Sequence, residues 1–450
     1  MTIPNRHSTL TQWIDWLLQL HAQEIDLGLD RVRQVAEIMA LKHPAPLVIS
    51  VAGTNGKGSS VAFLVAILKA AGYQVGAYTS PHIQLFNERI QINGTPVDDD
   101  LIVAAFIEIE AARGDIKLTY FEFATLAALS VFKSAGLDVA VLEVGLGGRL
   151  DAVNIVDADA ALITAIDVDH VDWLGGDRSV IATEKAGIMR TGKIAVCSDE
   201  APPTSLLAYA ERHKVLFSQF KVDFDLQIND QAWSFIDLSA QDALPAPNKL
   251  ELNNLPLPAL KGAFQLNNAA GAIALLSKLT TVLPVDKRAI SLGLQQATHP
   301  GRLQSLKIDS QNWLIDVAHN PQSALALAGY LQQSKKDEPQ EGAKPKSLGY
   351  LSLFSVLNDK DALPMVQQIA PFVSLWVVAD LQVPRATSAQ DLRILLHKAG
   401  VADVNILVQE SMTEAVVYAQ QHSDMEVLVW GSFFTVSQVL SALQTEPADG

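Results

Sequence analysis

Three short stretches carry the residues whose types and spacing can do chemistry. The first, Gly53-Thr54-Asn55-Gly56-Lys57-Gly58-Ser59, runs from an apolar segment into a helical one. Successive glycines let main-chain N–H groups turn toward an anion, and a helix N-terminus adds a favourable field. Lys57 has the charge to neutralise β- and γ-phosphates, and Ser59 or Ser60 the hydroxyl to reach a phosphate or a metal. The usual phosphate loop, G-x-x-x-x-G-K-[ST], places its hydroxyl directly after the lysine. Here Gly58 intervenes, and Val51 stands where the first glycine would fall. The loop alone fits either a nucleotide site of another make or a tight turn with a solvated lysine.

The second stretch, LEVGLGGRLDAVN (142–154), sets Glu143 near a strand end, before Gly145, Gly147 and Gly148. Open α/β sheets gather catalytic groups at the carboxyl ends of their strands, so Glu143 reads as a metal ligand or base, or else as a solvent-facing carboxylate. The third, DVDHVDWLG (167–175), packs Asp167, Asp169, His170 and Asp172 together. Beside a phosphate loop, such carboxylates suit Mg²⁺, which takes oxygen ligands and completes its shell with water and phosphates. Imidazole is a less usual Mg²⁺ ligand, which leaves His170 open between ligand and hydrogen-bonding residue.

These groups need elements to hold them. LVISVAG (47–53) reads as a buried strand, Ser60–Ala71 as a helix stopped by Gly72, and YQVGAYTS (73–80) as the next strand. That is the strand-loop-helix setting a phosphate loop requires. Residues 121–136 form a further helix, and 138–145, 160–169 and 193–198 further strands, so a mostly parallel sheet covered on both faces is expected. Residues 8–41 read as helical, with Trp13, Trp16, Leu17 and Leu20 at helix spacing. Shorter alternating runs within 215–260 predict antiparallel strands, and residues 267–280 a helix. A second α/β series follows residue 297, with strands at 313–318, 348–354, 374–380, 404–409 and 426–431. The polar, charged stretch 335–346 reads as a solvated loop without assigned function.

At 450 residues the chain exceeds one ordinary core and calls for two or three domains. Its charge of 33 − 49 = −16 argues against nucleic acid as the main partner, though not against a small anion held locally. The single cysteine, Cys197, excludes an internal disulfide and fits a reducing compartment. No apolar run approaches the ~20 residues that span a bilayer, and the N-terminus lacks the design of a secretory signal. A cytoplasmic protein without a membrane partner is expected.

GTNGKGS, TSPH, LEVGLGGRLDAVN, DHVDWLG, EKAGI, PGR and DVAHNP occur here in the order seen in folylpolyglutamate synthases. The chain most closely resembles the bacterial family of bifunctional dihydrofolate synthase/folylpolyglutamate synthases, within a Mur ligase-like superfamily. The matching motifs run from about residue 27 to 320. The resemblance implies a P-loop NTPase-like ATP-binding domain over 1–296 and a smaller Rossmann-like α/β glutamate-ligase domain over 297–450. It implies that ATP phosphorylates a carboxylate and that L-glutamate attacks the acyl phosphate through its amine. The acceptors would be 7,8-dihydropteroate and tetrahydrofolates, the cofactor Mg²⁺, and the protein a monomer. A synthase limited to polyglutamylation and a non-catalytic nucleotide-binding protein are the alternatives. The full set of Lys57, Ser80, Glu143, His170, Lys185, Arg302 and Asp316 speaks against the latter.

Carried over residue by residue, Asn55, Gly56, Lys57, Gly58, Ser59, Asn268, Arg302 and Asp316 resemble the ATP-binding positions, with His319 nearby. Ser80, Glu143 and His170 resemble the Mg²⁺ ligands. Lys185 matches a lysine that the family carbamylates (N6-carboxylysine); without the resemblance it reads as an ordinary helical lysine. Lys57, Glu143, His170 and Lys185 form the implied catalytic set. For the pterin the family points to Leu27, Gly28, Leu29 and Asp30, to Glu122, Phe123, Ala124 and Thr125, and to Leu150, Asp151 and Ala152. Residues 27–30 read equally as a helix end and turn, and 122–125 as core packing. Arg302 reads otherwise as a linker residue and Asp316 as a helix cap. One departure is the Ser-Ser pair after the loop, where the family has a Thr-rich one.

Overall fold

The computed structural model describes residues 3–21, 23, 25–229, 231–238, 252–336 and 349–444. The 335–346 stretch lies, from residue 337 on, outside the described residues. Two compact units form: Met1–Ala259 with Gln265–Thr298, and Leu260–Phe264 with His299–Gly450.

The first unit is built on strands β1 (Leu47–Ala52), β2 (Val75–Tyr78), β3 (Ile90–Ile92), β4 (Thr95–Pro96), β5 (Val139–Glu143), β6 (Ala160–Ile163), β7 (Ile194–Cys197) and β8 (Leu216–Gln219). Their order is β4-β3-β2-β5-β1-β6-β7-β8. The six strands from β2 to β8 run parallel, while β3 and β4 turn back at one edge. Runs such as VAVL, before Glu143, and AALI are apolar throughout because helices cover both faces. The chain leaves β1 toward one side of the sheet and later returns to the other, so β1 lies between β5 and β6. Val51 pairs with Glu143 and Ala52 with Ile163, which lines up the carboxyl ends of three adjacent strands. Such a switch in strand order is where open α/β sheets bind ligands.

The helix after β1 starts at Lys57, three residues earlier than the pattern predicted, because Gly56 takes φ 90° and makes the turn itself. Residues 8–41 require a correction, since they form two helices, Leu10–Leu20 and Asp30–Ile38, rather than one continuous stretch. The first is capped at both ends of its opening turn, with Gln12 N–H donating to Thr9 and Thr9 N–H to the Gln12 side chain. Its apolar face buries Trp13, Trp16 and Leu17, each worth ~2 kcal/mol or more. The chain then turns because Arg31 reaches back to Asp26, donating to its carboxylate at 2.6 Å and its carbonyl at 2.5 Å.

The expected antiparallel strands are β9 (Phe224–Ile228), β10 (Ala232–Asp237) and β11 (Leu252–Pro256), a separate sheet with β10 in the middle. The second unit holds β12 (Gln304–Ile308), β13 (Gln311–Ile315), β14 (Tyr350–Phe354), β15 (Val373–Ala379), β16 (Ile406–Gln409) and β17 (Val427–Trp430). Their order is β12-β13-β17-β14-β15-β16, parallel except for the edge hairpin of β12 and β13. Strand β12 is one the sequence pattern did not mark, since its QSLKI run is half polar at a sheet edge. Phe354, Trp376 and Trp430 pack ring against ring in this unit's core.

Candidate functional site

The loop after β1 is held by the loop after β6. Thr54 N–H donates to Ala165 O at 2.7 Å. The Thr54 hydroxyl donates to Asp167 O and accepts from Asp167 N–H, at 2.8 and 2.9 Å. Thr164 donates to Asn55 O at 2.8 Å. This contact explains Gly53, because a Cβ there would sit 1.8 Å from the Thr164 hydroxyl oxygen. At Gly56 a Cβ would meet Asn268 Oδ1 at 2.4 Å, so that glycine is required by both space and φ. The amides of Lys57, Gly58 and Ser59 lie in the first helical turn and have no carbonyl of their own helix to bond. Ser59 is buried, and its hydroxyl accepts from Gln265, which in turn accepts from Asn268 at 2.9 Å.

Two lysines converge on the loop. Lys57 Nζ donates to the carbonyls of Gly53 and Thr54 at 3.0 and 3.1 Å. Lys185 Nζ, from the helix Arg178–Ala186, donates to the same Gly53 oxygen at 2.9 Å. Lys185 is 3% exposed. Burial and then the nearby Lys57 charge lower its amine to about 7, against the opposing pull of Asp169 and Asp151. An amine so placed is substantially neutral near pH 7, and a neutral amine is a nucleophile.

Glu143 is buried at the end of β5, and one of its oxygens accepts from Ser80 N–H at 3.2 Å. His170 caps a single turn, Val171–Leu174, in a left-handed conformation of φ 52°, with its N–H donated to Asp169. Asp169 is buried and Asp172 exposed. Among the described residues no three His, Cys, Asp or Glu side chains gather as a metal cage. A buried carboxylate beside a serine at a phosphate loop nevertheless fits a divalent cation that takes its remaining ligands from nucleotide and water.

The glycine-rich stretch after β5 folds over this region. Gly145 lies against Phe121, and a Cβ on Gly148 would meet Glu184 O at 2.6 Å. Asp151 anchors the turn by accepting from Leu146 and Val153 N–H at 2.8 and 2.9 Å. Burial pushes its carboxyl up to about 6, opposed by those same amides. Glu122 is buried at the start of the Tyr120–Ala135 helix, where it closes a capping box with Thr119. Arg31 Nε donates to both Glu122 oxygens, at 3.2 and 3.3 Å, and so ties the 27–30 turn to the 122–125 turn. Thr125 donates to Phe121 O at 2.8 Å, and its hydroxyl lies 3.2 Å from Tyr78 OH. Phe123 and Ala124 are fully buried, and Phe123 packs against Trp16 and Phe106. The half-buried side chain on this helix face is Phe121, beside Gly145.

Arg302 and Asp316 lie in the second unit. Arg302 stacks 5.0 Å over the Phe433 ring. Asp316 is buried and accepts from Leu303 and Ala318 N–H at 2.9 and 2.8 Å, with burial raising its carboxyl. It does not cap the Pro321–Lys336 helix, where Asn320 accepts from Ser323 N–H. His319 Nδ1 lies 2.8 Å from Val317 O.

Sequence reasoning missed Thr164, Gln265 and Arg31. Thr164 and Gln265 sit inside apolar strand and helix runs and carry no motif. Arg31 directly follows the LGLD stretch, and its neighbourhood was the available signal.

Residues 51–276 match the Mur ligase middle domain family. The dihydrofolate synthase/folylpolyglutamate synthase of Escherichia coli (strain K12) is 40% identical over 447 residues, covering 99% of this chain and 98% of that one. Its namesake from Haemophilus influenzae is 35% identical, covering 97% and 98%. Among solved structures, E. coli FolC in complex with DHPP and ADP superposes with a TM-score of 0.86 at 40% identity, covering 98% of this chain and 99% of that one. The bifunctional enzyme of Yersinia pestis complexed with AMPPNP and Mn ion gives 0.85 at 39%, covering 99% and 100%. A further bifunctional synthase, with Mn, AMPPNP and L-glutamate bound, gives 0.85 at 39%, with the same coverage.

Proposed function

The chain belongs to the dihydrofolate synthase/folylpolyglutamate synthase family of Mur ligase-type proteins, and from that premise we propose that it is an ATP-dependent ligase joining L-glutamate to 7,8-dihydropteroate and to tetrahydrofolates. The observation that carries the reading is the meeting of Lys57, Lys185 and the glycine loop at the carboxyl ends of β1, β5 and β6. An oxygen of the acceptor carboxylate attacks the γ-phosphorus of ATP, and ADP leaves. The glutamate amine then attacks the acyl carbon, loses a proton and expels phosphate. Both partners of the first step are anionic, so the loop amides and Lys57 must lower their repulsion. Mg²⁺, held by Ser80, Glu143 and His170, would supply Lewis acidity to the transferring phosphoryl group. Lys185 with a carbamate would add an anionic oxygen donor beside it.

Asn55, Gly56, Gly58, Ser59 and Asn268 are assigned to ATP in the 1–296 domain, with Arg302 and Asp316 in the 297–450 domain that carries glutamate ligation. The turns 27–30, 122–125 and 150–152 are assigned to the pterin. Since Phe123 and Ala124 face the core, their part is to shape the helix that presents Phe121. Among the described residues no helix is long and apolar enough to cross a membrane. The protein is assigned to the cytoplasm as a monomer, with the lone buried Cys197 in keeping with a reducing compartment.

The deciding assay is Mg²⁺-dependent ADP release with L-glutamate and dihydropteroate, then with tetrahydrofolate. Turnover with neither overturns the assignment, and turnover with tetrahydrofolate alone restricts it to polyglutamylation. Arg31→Met should raise KM for dihydropteroate ~10-fold with little change in KM for ATP, since it unties two pterin turns and leaves the buried Glu122 carboxylate short of a partner, a loss of roughly 1–3 kcal/mol. Steady-state kinetics with each substrate varied in turn separates the two effects.

A further inference from the structure

We propose that Arg178 and Asp199 are positioning residues that hold the Ile166–His170 segment in the register the metal and phosphate chemistry requires; the proposal rests on the ligase reading above. Ile166 lies past the end of β6, where its peptide groups have no strand partner. Side chains serve both of them. Ile166 N–H donates to Asp199 Oδ2 at 2.6 Å, and Arg178 Nε donates to Ile166 O at 2.6 Å. The two side chains close the ring on each other, since Arg178 Nη2 lies 3.1 Å from both Asp199 oxygens. Asp199 is 5% exposed and also accepts from Ala201 N–H at 2.8 Å.

What the ring connects gives it consequence. Ile166 directly precedes Asp167, which is bonded twice to Thr54 of the glycine loop, and lies four residues before His170. Arg178 opens the helix that carries Lys185 two turns on. Asp199 follows β7, and the next residue, Glu200, accepts from Asn267, the neighbour of Asn268. A single ion pair thus ties the acidic segment to the lysine helix, with the β7 end as its fixed point. Arginine suits the task because its fork bonds a carboxylate and a carbonyl together, which a lysine ammonium does with poorer geometry. Groups that orient metal ligands through such contacts typically change metal affinity or activity ~10–100-fold when lost.

The test uses the full chain with Asp199→Asn, Arg178→Lys and Arg178→Met. Mn²⁺ binding is read by electron paramagnetic resonance with a non-hydrolysable ATP analogue present, and analogue binding is read separately without metal. The expected result is Mn²⁺ affinity weakened ~10–100-fold in Asp199→Asn and Arg178→Met, with kcat falling in step and metal-free analogue affinity within about twofold of wild type. Arg178→Lys should recover part of both losses. Should Asp199→Asn not fold, the half-exposed Arg178 site decides by the same readings. Wild-type Mn²⁺ affinity in a folded variant overturns the proposal, as does equal loss of metal and nucleotide binding with no recovery by lysine. Wild-type protein that binds Mn²⁺ normally yet turns over neither pterin substrate refutes the ligase reading instead.

Discussion

Lys185→Met should lower kcat by roughly 10²–10³-fold while leaving the fold intact, because methionine fills the buried stem but can neither donate to Gly53 nor take up CO2. Carbamylation joins the amine nitrogen to the carbon of CO2 and releases a proton, so it draws on the neutral amine alone. With the amine lowered to about 7, roughly a tenth is neutral at pH 6, half at pH 7 and nine tenths at pH 8. Activity at fixed dissolved CO2 should therefore climb between pH 6 and 8. It should fall in CO2-stripped buffer and return when bicarbonate is added. The mass of Lys185-containing protein under native conditions should show one added CO2. A Lys185→Met enzyme within tenfold of wild type, or indifference to CO2, would sink the assignment. The linkage has a definite sign as well. Between about 7 and the ordinary lysine value the unfolded chain binds the extra proton, so this residue's contribution to stability rises with pH across that window and is lost as pH falls.

Gly53→Ala is the second large effect, and it should act on stability and turnover together. The new methyl would lie 1.8 Å from Thr164 Oγ1, 3.0 Å from its Cβ and 3.3 Å from its main-chain carbon. Rotating the hydroxyl away relieves only the first contact and breaks the bond to Asn55 O. Overpacking of this kind costs ~1–3 kcal/mol, and a lost buried hydrogen bond a further ~1–3 kcal/mol. The Gly53 carbonyl also holds Lys57 and Lys185, so kcat/KM for ATP should drop about 100-fold or more. Thr164→Ala removes the hydroxyl that makes the shortest of these contacts, and the double variant should be more stable than the sum of the single losses predicts. Chemical denaturation of all four proteins measures that coupling. Strict additivity would mean that the loop does not press on Thr164.

How far these features could be read from the sequence depended on what signals them. The buried parallel strands announced themselves as apolar runs, and the glycine loop stood out between one such run and a helix. The break after Leu20 is marked in the sequence only by Gly28, which reads equally as a helix end and turn, and the local contact of Arg31 onto Asp26 that holds it has no periodic signature. Strand β12 escaped because an edge strand need bury only alternate residues. At the site, Lys57, Glu143 and His170 stand out in the sequence by type and position. Lys185 carries no such mark, since a lysine on an amphipathic helix is ordinary by pattern and only tertiary packing buries it. Thr164 and Gln265 act through hydroxyl and amide groups brought together only by tertiary packing, and no local spacing marks them. Asp316 was reachable as a residue but not as a contact, for its two main-chain partners lie on opposite sides of it in sequence.

The shared acceptor at Gly53 couples the two lysines through one peptide group. One carbonyl oxygen accepts here from the Nζ of both lysines. Were Lys185 carbamylated, its nitrogen would keep one N–H while the new carboxylate oxygens carried the negative charge. The carbonyl would then face one ammonium, that of Lys57, and one uncharged N–H. The Gly53 peptide group is thus the point through which a change at either lysine reaches the other.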